Sequence, residues 1–96
     1  MEDKVLLEGV ELMLELTEFI PKYDQFNTFS RDQIQDIFTK IQIYCDKYLQ
    51  SKDIHFFIEF IMSQFPELKD NVTHTENIPI LIQIRRDLRI KSLEND

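Results

Sequence analysis

Side chains able to do chemistry are few in this sequence: two histidines, one cysteine and a scatter of carboxylates. His55 and Glu59 stand four residues apart, the spacing at which two side chains meet on one helical turn, and His74 sits two before Glu76. Both pairs hold donors that a metal ion accepts, yet no HExxH, no paired CxxC and no ExxH pair of the di-iron kind accompanies them. Cys45 falls on an apolar stripe, which reads as a small buried hydrophobe, because a reactive thiol needs exposure and positive surroundings. A single glycine in the chain leaves little material for the tight turns that build oxyanion holes and phosphate loops. We therefore expect no catalytic residue, no metal ligand and no cofactor site.

Charge is the stronger signal. The formal net charge is −7, and from Met1 to Asp36 nine acidic residues face three basic ones, whereas from Thr73 to Asp96 the signs balance at four each. Glu8, Glu11, Glu15 and Glu18 recur at steps of three, four and three, which places four carboxylates along one helical edge. That edge reads as a solvated face or as a docking surface for a basic protein. Arg85, Arg86, Arg89 and Lys91 make the one basic cluster, and a helix carrying it has the form of a groove reader. The acidic surroundings disfavour nucleic acid and anionic lipid as partners.

These groups must be positioned by helices. Three prolines and one glycine are too few for the turns of a small all-β domain, and 43% hydrophobic against 30% charged residues is the composition of a folded chain. The spacing predicts an all-α domain spanning 1–96, an irregular antiparallel bundle of four helices near Asp3–Ile20, Arg31–Gln50, Ile54–Phe65 and Pro79–Leu93. Pro21 is expected to stop the first, leaving Pro21–Phe29 as an aromatic loop. Gly9, in the middle of an apolar arc, predicts a close helix crossing. Ser30 and Gln33 have the form of a capping box for the second helix, with Phe29 and Ile34 as its staple. The stripe Ile34, Ile37, Phe38, Ile41, Cys45, Tyr48, Leu49 then makes that helix the element around which the others should pack.

The expected core adds Leu6, Val10, Met13, Leu16, Ile20, Phe57, Ile58, Ile61, Leu81, Ile84 and Leu88. The third helix is apolar nearly all round, with Phe56 and Phe60 opposite the core face, which predicts an interface for a homodimer or larger oligomer. No apolar run approaches the ~20 residues of a membrane span, and the acidic start lacks the form of a signal peptide, so a cytoplasmic protein is expected. The functional expectation is a protein-binding module, in its sharpest form a stoichiometric inhibitor or immunity-type protein. Glu8, Glu11, Glu15 and Glu18 would steer a basic partner, and Tyr23 and Phe26 would anchor it. A homo-oligomeric structural or adaptor subunit joined through Phe56 and Phe60 is the alternative.

Overall fold

The first helix, α1, spans Asp3–Phe26 and is capped by the Glu2 carbonyl, which accepts from the amides of Val5 and Leu6, both at 3.1 Å. The computed structural model describes residues 2–26, 31–51, 53–69 and 76–94. Within them the chain is predominantly helical, forming a bundle with no strand. Helix α2 covers Arg31–Tyr44 and passes into a π-helical turn at Cys45–Leu49; α3 covers Ile54–Gln64 and α4 covers Asn77–Glu94.

α1, rather than α2, is the organising element. It packs most extensively on α4 and also meets α2 and α3, which touch each other. A helix with three neighbours must be apolar over more than half its circumference, and Val10, Leu12, Met13, Leu14, Leu16 and Thr17 are all buried. Pro21 does not end it. Proline withholds only its own N–H, so the Thr17 carbonyl loses its usual donor while the helix continues to Phe26. The expected loop over residues 21–26 is thus helical. The proposed cap and staple at Phe29 and Ser30 lie outside the described residues, as do the side chains of Ile20 and Ile34.

Gly9 is the point of closest approach. A Cβ built there would lie 2.7 Å from Tyr44 Oη and 2.9 Å from Ile61 Cδ1, so the missing side chain lets α2 and α3 both settle on α1. Tyr44 uses the space: its hydroxyl donates to the Val5 carbonyl at 2.9 Å. Its ring packs on Tyr48 at 5.0 Å and, edge-on, on Phe57 at 5.5 Å. Lys40 lies beside Glu15, while Tyr44 and Tyr48 reach the first turns of α1, so α1 and α2 run in opposite directions.

The second helix was expected to stay regular to Gln50, but its last turn widens from Cys45 onward. Gln50 then adopts φ 54°, ψ 36°, and the Cys45 carbonyl accepts from the amides of Gln50 and, at 3.4 Å, Ser51. This left-handed ending usually falls to glycine, and here glutamine bears its strain. Asp53 caps α3, its Oδ1 accepting from the His55 amide at 2.9 Å. After α3 a turn through Pro66 buries Leu68. α4 begins at Asn77, two residues before Pro79, because the buried Asn77 amide clamps the preceding turn. Its Oδ1 accepts from the Lys69 amide at 2.7 Å and its Nδ2 donates to the Lys69 carbonyl at 3.2 Å.

The core contains Val10, Met13, Leu16, Ile37, Ile41, Cys45, Phe57, Ile61, Leu81, Ile84 and Leu88 as the spacing predicts, with Leu6, Tyr48 and Ile58 half-buried at its margin. Phe38 is a correction, for it remains 41% exposed. It lies about 100° round the helix from Ile37, beyond the narrow stripe that α2 presents. Leu12, Leu14, Tyr44 and Leu68 are core residues that the stripe arguments miss.

Candidate functional site

The edge of α1 that its three neighbours leave uncovered is the glutamate edge. Glu8, Glu11 and Glu15 are exposed and Glu18 is half-buried. Each of the first three meets a side chain from a flanking helix or turn. Tyr48 Oη donates to Glu8 Oε2 at 3.2 Å, Arg89 Nη2 to Glu11 Oε1 at 3.2 Å, and Lys40 Nζ to Glu15 Oε1 at 3.3 Å. Lys40 also reaches Asp36 Oδ2 at 3.2 Å. Its hydrogen bonds to Asp36 and then Glu15 hold its ammonium above the usual lysine value. Such exposed pairs add little stability and are screened by salt. They leave the face with an excess of carboxylates over the cations that reach across to it. Tyr23 and Phe26 belong to the C-terminal turns of this same helix, and their side chains lie outside the described residues.

The other candidates are dispersed. On α3, Phe56 is 45% exposed, whereas Phe60 is half-buried against the core. His55 and Glu59 are both exposed, and His74 lies outside the described residues. No group of three or more His, Cys, Asp or Glu side chains among the described residues is placed to hold a metal ion. Cys45 is fully buried, and that burial pushes its thiol above the ordinary value. The basic cluster is split: Arg89 is tied to Glu11, Arg85 is half-buried, and Arg86 is exposed. Compared with protein-family models, curated proteins and solved structures, the chain finds no match. No helix among the described residues is long and apolar enough to cross a membrane.

Two further surfaces escape a reading that follows core stripes. On the outside of α2, Thr39, Gln42, Ile43 and Asp46 line a shallow open groove, with Ile43 61% exposed. On the outside of α4, Ile90 and Leu93 are 54% and 75% exposed beside Arg86. Their signal in the sequence is an aliphatic residue standing off the stripe of its own helix.

Proposed function

We propose that this protein is a non-catalytic protein-binding module whose acidic α1 edge steers a basic protein partner. A stoichiometric inhibitor or immunity-type protein is the sharpest form of this reading. The observation that carries it is the exposure of Glu8, Glu11 and Glu15 on the one side of α1 that its neighbours leave open. Carboxylates concentrated on one face attract a basic surface at long range and raise the association rate more than the final affinity. Tyr23 and Phe26, further along the same helix, are the anchors in this reading.

The test is capture of a partner from the native host, followed by stopped-flow association with the purified pair. Changing Glu8, Glu11 and Glu15 together to Lys should slow association by about tenfold or more and flatten its salt dependence. Unchanged rates and an unchanged salt slope would overturn the reading. A second reading, a homo-oligomeric subunit joined through α3, draws support from the exposed Phe56; Phe60 is engaged within the chain. Phe56→Glu should then abolish assembly while leaving the fold intact.

A further inference from the structure

We infer that two copies of this chain dock head to tail, the outer face of α4 in one copy lying along the outer groove of α2 in the next. Arg86, Ile90 and Leu93 form one stripe on α4 at steps of four and three, and all three are exposed. Thr39 and Ile43 on α2, with Asp46 in the π-helical turn that continues it, form the matching stripe at steps of four and three, and they line its groove with Gln42. Each stripe covers seven residue steps, about 10.5 Å at α-helical rise.

Charge selects the direction. Laid antiparallel, Arg86 meets Asp46, Ile90 meets Ile43, and Leu93 lies over Thr39. Laid parallel, Arg86 would face Thr39, and Leu93 would sit on the Asp46 carboxylate. Lys40, Lys69 and Arg89 are engaged with carboxylates of their own chain, whereas Arg86 and Asp46 have no ion-pair partner among the described residues. The arrangement also accounts for the apolar residues on both sides of α4: Leu81, Ile84 and Leu88 face the core while Ile90 and Leu93 face outward. A second copy is the occupant because it supplies an acidic, apolar groove of matching length.

The contact is heterologous, so the assembly keeps one free face at either end and grows with concentration. With few residues a side it falls well short of the ~800 Å² per partner of a stable complex, and we expect a dissociation constant of roughly 0.1–1 mM.

The experiment is sedimentation equilibrium on the full chain up to about 2 mM, about twice the upper end of that range. The wild type should rise steadily past twice the monomer mass as concentration increases. Ile90→Glu with Leu93→Glu blocks one face, and Ile43→Glu blocks the other, so that the two blocked faces also repel each other; each variant alone should stay monomeric. All three positions are exposed, and unchanged helical circular dichroism verifies the fold. Mixed in equal amounts, the two variants should form a 1:1 dimer that grows no further, because each retains one good face. A wild type that is monomeric throughout, a blocked variant that still assembles, or a mixture that stays monomeric would each overturn the inference. Assembly abolished only by Phe56→Glu would assign self-association to α3 instead. None of these outcomes depends on capture of a basic partner by the α1 edge.

Discussion

Replacing Gly9 by alanine should destabilise this protein, although glycine to alanine inside a helix is ordinarily a gain. Two effects oppose each other. Alanine is favoured over glycine in a helix interior by about 1 kcal/mol, chiefly because glycine loses more backbone freedom on folding. Against this, the new Cβ would stand 2.7 Å from Tyr44 Oη, 2.9 Å from Ile61 Cδ1 and 3.0 Å from Tyr44 Cζ. Neither neighbour is a free side-chain end. Tyr44 and Ile61 are both fully buried, and Tyr44 is held by its bond to the Val5 carbonyl and by two ring contacts. Overpacking of this kind costs about 1–3 kcal/mol, so the expected net change is a loss of about 1 kcal/mol.

Urea unfolding followed by far-ultraviolet circular dichroism measures this directly, and in a domain of this size the loss corresponds to a midpoint about 4–8 °C lower on heating. Tyr44→Phe removes the nearest atom but leaves Cζ and Ile61 in place. The penalty of Gly9→Ala should therefore shrink by about 0.5 kcal/mol or more in that background without vanishing. A gain of about 0.5–1 kcal/mol from Gly9→Ala alone would refute the claim that this glycine exists to admit Tyr44.

Thr17→Val should stabilise by about 1 kcal/mol, because the Thr17 hydroxyl is buried with no hydrogen-bond partner among the described residues and valine keeps its shape; a marked loss in a melting experiment would reveal a partner. Gln50→Gly should add about 0.5–1 kcal/mol by relieving the left-handed backbone at φ 54°, and a loss in denaturant midpoint would contradict that account. Ile41→Ala should cost about 2–5 kcal/mol and Phe38→Ala much less; comparable losses would mean that α2 is rotated from the position described here. Burial holds the Tyr44 phenol above its ordinary value of about 10, so the folded state keeps a proton that the unfolded state releases. Stability should accordingly be insensitive to this group below pH ~10 and fall above it by up to ~1.4 kcal/mol per pH unit, and Tyr44→Phe should remove that part of the alkaline slope.

Helical class, the break after Gln50 and most core positions follow from spacing alone, because a three-to-four-residue apolar period leaves one face to bury. Gly9 was legible for a related reason: with one glycine in the chain, its place on an apolar arc is informative. The role of α1 as hub was not legible. Its buried arc and the stripe on α2 both read as one-sided amphipathic faces, and only the packing shows that α1 carries three neighbours. Pro21 misleads because proline propensity describes an isolated helix, whereas the loss of one hydrogen bond is small beside the burial that holds α1 in place. Tyr44 escaped notice because its hydroxyl finds an acceptor, Val5, that is remote in sequence.

The same packing decides how the charged residues divide. Arg89 and Lys40 flank the α1 glutamates at 3.2 and 3.3 Å, so the carboxylate repeat serves as a seam between helices as well as an exposed face. These roles are compatible because an exposed pair is weak enough to be exchanged. A partner's lysine or arginine that replaces Lys40 at Glu15 loses no buried contact, and the displaced Lys40 retains Asp36. Self-repulsion among the glutamates is thus relieved within the free protein by cations that an incoming basic surface can displace. Truncating Lys40 should strengthen the attraction for such a surface, while charge reversal of the glutamates should weaken it, an opposition that a merely solvated face would not produce.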